Sequence, residues 1–175
     1  MMAETERLRV RPMAVSDAPF VYRLLNEPSW LQNIGDRGVR SIADAESYIE
    51  SKVIPMYTLM GFGMCVAESK ADAVPLGMCG LVRREALPAP DIGFALVPEY
   101  WGKGYAREAA MAVMHHAGQQ LGLDRLLAIV TPSNVRSCRV LESLGFMHEG
   151  VFRASPHDKE LKLYAVTLPA TRAAT

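Results

Sequence analysis

The sequence predicts an α/β (α+β) fold, a mixed and mostly antiparallel central sheet of about seven strands flanked by about four helices. Three observations carry this. In the second half of the chain, short apolar runs alternate with helical stretches. In the first half, residues 61–68 and 75–83 form two short runs on either side of a turn, the pattern of an antiparallel hairpin. The 175 residues, 50% of them hydrophobic, are enough for one core, and no composition shift marks a second. The expectation is one domain over 1–175, with a folded core over about 5–168 and a loose tail at 169–175.

The elements follow in order. Residues 6–12 alternate, with Leu8 and Val10 inward and Arg7, Arg9 and Arg11 on the other face, so they read as a half-buried strand. Ser16 is a candidate N-cap for a helix carrying Val21, Leu24 and Leu25. Residues 26–40, punctuated by Pro28, Gly35 and Gly38, read as a loop or broken helix containing Trp30. Ser41 and Asp44 resemble a capping box before Ala45, Tyr48, Ile49 and Val53, and Pro55 is expected to end that helix. The hairpin of 61–68 and 75–83 comes next, then a strand at 91–97. A turn leads to a helix from about Tyr105 to Leu121, with Gly122 as its C-terminal cap. Residues 125–130 are an apolar strand. Residues 131–134 turn into a short helix with Val140, Leu141 and Leu144 on one face. Strands at 147–153 and 160–168 finish the fold.

Composition excludes several classes. Lys+Arg and Asp+Glu are each 19, so bulk charge draws the protein to neither nucleic acid nor membrane surface. Cys65, Cys79 and Cys138 are widely spaced and form no Cys-x-x-Cys pair, which argues against a disulfide framework or a zinc site and for a reducing compartment. His115 and His116 are adjacent on a helix and point apart, so they are not read as a metal pair. The first residues lack a signal-peptide pattern, and no apolar run approaches membrane-spanning length. The expectation is a cytoplasmic protein, monomeric or homodimeric, without a metal.

The stretch from Asp91 to Leu121 organises the rest. Its strand, glycine-containing turn and long helix leave free backbone N–H groups at a helix start, a natural anion site. Gly102, Gly104 and Ala106 keep the turn nearly free of side-chain bulk. Lys103 reads equally as a phosphate contact or as a solvated turn lysine. Gly102-Lys103-Gly104 does not fit a Walker A loop, and Arg107 stands where a dinucleotide fingerprint needs its third glycine.

Four stretches together resemble the GNAT superfamily of N-acetyltransferases, and within it the RimJ/RimL group of ribosomal-protein N-terminal acetyltransferases. They are residues 5–12 (TERLRVRP), residues 98–106 (PEYWGKGYA), Asn134-Val135-Arg136-Ser137 with residues 141–146 (LESLGF), and Glu149-Gly150. The superfamily's pyrophosphate motif, Arg/Gln-x-x-Gly-x-Gly/Ala, maps onto Trp101, Gly102, Lys103, Gly104, Tyr105 and Ala106. Trp101 departs from it, leaving more of the binding to backbone amides. The resemblance implies acetyl-CoA as co-substrate, with its pantetheine arm along Leu96 and Val97, where a backbone N–H would polarise the thioester carbonyl. It also implies that Asn134 contacts the cofactor arm and that Ser137 protonates the leaving thiolate. On spacing alone, Asn134 or Ser133 reads as an N-cap and Ser137 as a helix-surface residue. No tyrosine occurs in this helix, where other members place their acid.

The implied reaction is direct acetyl transfer to a primary amine. Glu149 is the candidate base, with His157 and Asp158 behind it. An α-amine titrates near 8 and a lysine near 10.4, so a lysine costs roughly 3 kcal/mol more to deprotonate at neutral pH. That points to a protein or peptide N-terminus as acceptor, beside a small-molecule amine as the alternative. A non-catalytic acyl-CoA-binding module is the alternative from another class. Trp30, and a methionine surface at Met56, Met60 and Met64, are candidates for the acceptor side. Tyr164 is expected to pack in the last strand.

Overall fold

The computed structural model describes residues 3–169. Its strands are β1 (Ala3–Glu4), β2 (Leu8–Pro12), β3 (Met64–Ser69), β4 (Pro75–Val82), β5 (Asp91–Leu96), β6 (Arg125–Val130), β7 (Met147–Phe152) and β8 (Leu161–Thr167). They form one eight-stranded sheet in the order β1-β2-β3-β4-β5-β6-β8-β7. Every neighbouring pair is antiparallel except β5–β6. The helices are α1 (Ala18–Leu25), α2 (Pro28–Asn33), α3 (Ile42–Tyr48), α4 (Ile54–Met60), α5 (Tyr105–Gln119) and α6 (Val135–Ser143).

The sheet separates two cores. On one face Leu8, Val10, Cys79 and Leu126 pack against the small-residue stripe Ala109, Ala110, Val113 and Ala117 of α5, and against Cys138 and Leu141 of α6. Alanines at that spacing let α5 lie close to the strands. On the other face Val66, Met78 and Val97 pack against Val21, Leu24 and Leu25 of α1, Trp30 of α2, and Ala45 and Ile49. Arg9 and Arg11 of β2 take the face opposite Leu8 and Val10 and bond to the buried Glu68.

Several expectations are corrected. The sheet has an eighth strand because Ala3–Glu4 pair with β2, so the folded part begins before residue 5. Ser16 does not cap α1. Asp17 does the local polar work, its carboxylate accepting the Ala14 N–H and both prongs of Arg11 at 2.8 Å. Of the two readings of 26–40, loop or broken helix, the structure has the second, with α2 followed by a non-helical run at 35–40.

Pro55 does not end its helix. A π-helical turn at Ile49–Val53 precedes it, and the run continues as α4 to Gly61. The wider turn relieves the clash that a proline ring makes with the carbonyl below it. Gly61 caps that helix, so β3 starts at Met64 and not at Gly61. Ser41 behaves as expected and accepts the Asp44 N–H at 3.1 Å. Of the expected tail at 169–175, residues 170–175 lie outside the described residues.

Candidate active site

The parallel pair β5–β6 is registered only where Asp91 faces Leu127. That closed end is fixed by Asp91, which is buried and accepts from Arg84 at 2.9 Å. Burial pushes the Asp91 carboxyl up, against the nearby guanidinium. Toward Leu96 and Val130 the two strands no longer pair, and a cleft of about 970 Å³ opens at their C-terminal ends. The first turns of α5 and α6 and the last turn of α2 all line it. In parallel arrangements the carboxyl ends of strands are where ligands enter.

The α5 wall is the glycine turn. Gly102 and Gly104 have φ of +73° and +80°, a region that costs any residue with a Cβ roughly 1–2 kcal/mol. Gly104 is the N-cap of α5, so the first N–H groups of the helix are left without intrahelical partners. The turn is held from below by Arg7, the residue before β2. Arg7 donates from Nη1 to the Lys103 carbonyl at 3.0 Å and from Nε to Glu108 at 2.7 Å, and its guanidinium lies 4.4 Å from the Tyr105 ring. Glu108 also accepts from the Thr5 hydroxyl and the Arg7 N–H. Burial alone would push the Glu108 carboxyl up, but these donors hold it below its ordinary value. The Lys103 side chain does not line the cleft and lies 5.6 Å from the Tyr100 ring.

At the end of β5 the structure separates two residues that sequence had grouped. Val97 N–H is spent on the Leu76 carbonyl at 3.0 Å, and Val97 does not line the cleft. Because an antiparallel ladder alternates, the polar groups of Leu96 point the other way, toward the open side facing β6. Leu96 therefore supplies the free N–H, while its carbonyl accepts the Trp101 indole N–H at 2.8 Å. Trp101 thus locks the glycine turn to the strand end.

On α6, Asn134 is the N-cap, its side chain accepting the Ser137 N–H at 3.2 Å. Both residues line the cleft, and the Ser137 hydroxyl bonds to no described residue. The far wall is α2. Thr131 donates to the Asn33 carbonyl at 2.7 Å and so ties α2 to the end of β6. Trp30 lines the cleft, with its indole N–H buried and unpartnered among the described residues.

The cleft brings together Trp30, Leu96, Trp101, Gly102, Gly104, Tyr105, Ala106, Asn134 and Ser137. It does not include Glu149, which is exposed and paired with Arg125. Arg125 opens β6 and Val130 ends it, so the pair sits roughly 16 Å along the strand from the cleft end. His157 and Asp158 are exposed in the β7–β8 connection, and Met56, Met60 and Met64 do not line the cleft either. Tyr164 packs as expected, buried and donating to Glu142 at 3.1 Å.

Three arginines of the cleft were not singled out in the sequence. Arg107, Arg136 and Arg139 line it and form no ion pair with a described residue. A signal for two of them existed. Arg107 lies in the first turn of α5 and Arg136 in that of α6, where a cation opposes the helix dipole. Two such placements around one glycine turn make sense when an anion joins them. Among the described residues no Asp or Glu lines the cleft. Backbone donors, arginines and the absence of carboxylates fit a ligand rich in phosphate.

Comparisons with known proteins agree. Residues 7–147 match the family model described as "Acetyltransferase (GNAT) domain". The Bacillus licheniformis protein "Uncharacterized N-acetyltransferase p20" is 32% identical over 155 residues, covering 85% of this chain and 84% of that protein. The spermidine N(1)-acetyltransferase of Escherichia coli (strain K12) is 26% identical over 149 residues, covering 85% of this chain and 77% of that protein. The solved structure of RimL, a ribosomal L7/L12 α-N-protein acetyltransferase in complex with coenzyme A, has a TM-score of 0.81 at 19% identity, covering 95% and 97% of the two chains, a likeness of fold. With the cleft as described, the chain belongs to the GNAT acetyltransferase domain family, and it is an N-acetyltransferase that uses acetyl-CoA as donor.

Proposed function

We propose that the acceptor is the α-amine of a protein or peptide N-terminus, as the RimJ/RimL resemblance implies. The observation that carries this is the absence of any Asp or Glu among the described residues that line the cleft. A polyamine is polycationic at neutral pH and needs carboxylates to bind its second and third charges. This cleft offers it arginines instead.

The chain's residues divide the work accordingly. The turn from Gly102 to Ala106 holds the phosphates through backbone N–H groups, and Asn134 fixes the start of α6 beside them. Leu96 N–H is the donor for the thioester carbonyl oxygen. The amine nitrogen forms the new C–N bond as the C–S bond breaks. Ser137 gives its hydroxyl proton to the leaving sulfur and regains one from water, while the nitrogen's proton passes to solvent. No carboxylate base is needed, since an α-amine near pKa 8 is already partly neutral at physiological pH. We place this single acetyltransferase domain in the cytoplasm, consistent with three buried cysteines that form no disulfide with one another.

The test is CoA release with saturating acetyl-CoA and a panel of N-terminal peptides, spermidine and amino-acid derivatives. The peptides should exceed spermidine at least tenfold in kcat/KM. Preferred turnover of spermidine would reverse the assignment, and CoA binding without turnover on any amine would favour a non-catalytic module.

A further inference from the structure

We propose that Arg136, presented on the face of Trp101, is a phosphate-binding residue of the cleft, and that the two side chains act as one unit. The Arg136 guanidinium carbon lies 4.6 Å from the centre of the Trp101 ring. Trp101 is held in turn by its indole N–H on the Leu96 carbonyl at 2.8 Å. Both residues line the cleft, and Trp101 directly precedes Gly102 of the anion-binding turn.

The chemistry follows from geometry. An indole cannot bond to an anion through its face, so Trp101 by itself adds nothing to phosphate recognition. A guanidinium stacked on that face keeps its in-plane N–H donors free for phosphate oxygens. The stack also fixes a side chain that otherwise loses much rotamer freedom on binding. Arg136 has no carboxylate partner among the described residues and sits in the first turn of α6, where its charge opposes the helix dipole. An anion at that point relieves the conflict. Trp101 therefore carries across from α6 the cation that its own position lacks.

This inference rests on the reading of the cleft as the CoA site, and the experiment separates the two. Calorimetric titration of CoA and of 3′-dephospho-CoA is made into wild type, Arg136→Ala, Arg136→Lys, Trp101→Ala, Trp101→Phe and the Arg136→Ala/Trp101→Ala double variant. Wild type that binds no CoA overturns the cofactor reading itself. With wild-type binding present, Arg136→Ala should weaken CoA about tenfold, the loss of one charge-assisted contact. Arg136→Lys should recover part of it. Trp101→Phe, which keeps a ring face, should lose less than Trp101→Ala. The double variant should be no weaker than the worse single one. A loss equal for CoA and 3′-dephospho-CoA puts Arg136 at the pyrophosphate, and a loss confined to CoA puts it at the 3′-phosphate. Unchanged CoA affinity in Arg136→Ala overturns the proposal, and fully multiplicative losses overturn the coupling.

Discussion

Arg7 donates to the carbonyl oxygen of Lys103 at 3.0 Å across 96 residues of sequence. A residue from the start of the chain thereby holds the outer edge of the glycine turn. Through Glu108 the same guanidinium also holds the first turn of α5. Arg7→Gln should raise the acetyl-CoA KM about threefold to tenfold and leave kcat nearly unchanged, because the turn is loosened and not removed. The pair is partly exposed, so the stability loss should be near 1 kcal/mol, or about 2–4 °C in Tm. Steady-state kinetics and a thermal melt check both.

The same contact sets a pH limit. Burial would push the Glu108 carboxyl up, yet the Thr5 hydroxyl and the N–H and guanidinium of Arg7 hold it below its ordinary value. A carboxyl lowered by folding stabilises fully above its unfolded pKa, and that contribution fades as pH falls through the folded value. CoA affinity should therefore be insensitive to this group from neutrality down to about pH 5 and weaken only further on the acid side. Titration of CoA across that range, with Glu108→Gln as control, reads the effect.

On the α6 wall the Ser137 hydroxyl bonds to no described residue, while its N–H is engaged by Asn134. Ser137→Ala keeps that backbone bond and removes only the hydroxyl. It should lower kcat roughly 10²-fold, the lower end for a general acid, with acetyl-CoA KM within about twofold. A wild-type kcat would end the proton-donor role.

Glu149 gives the opposite expectation. It is bound to Arg125 near the far end of β6 and away from the cleft. Glu149→Gln should leave kcat within about twofold across the pH profile. Its stability cost should be at most about 1 kcal/mol, as expected of an exposed pair.

These contrasts show which parts of the molecule were legible in the sequence. The turn and α5 were, because glycine spacing and an alanine stripe are local signals that the backbone obeys directly. The hairpin of β3 and β4 was legible for the same reason. Pro55 misled because the local rule for proline was offset by a π turn that no residue pattern announces. The position of Glu149 outside the cleft was not legible because it depends on β8 inserting between β6 and β7, a long-range pairing. Val97 and Leu96 looked alike until register showed which of the two spends its N–H on β4. Arg107, Arg136 and Arg139 were not read as ligand contacts, although two of them stand against a helix dipole.

The central claim is that the turn at Gly102–Gly104 is the phosphate cradle of acetyl-CoA. Gly104 has a φ of +80°, and a Cβ there would also come within 3.4 Å of Arg7 Nη2. Gly104→Val combines backbone strain with a branched side chain in the path of the phosphates. The direct measurement is calorimetric titration of acetyl-CoA into wild type and Gly104→Val, with circular dichroism melts confirming that both are folded. Binding by wild type and its loss by at least about tenfold in the folded variant is the predicted result. Equal affinity in the two proteins would contradict the assignment.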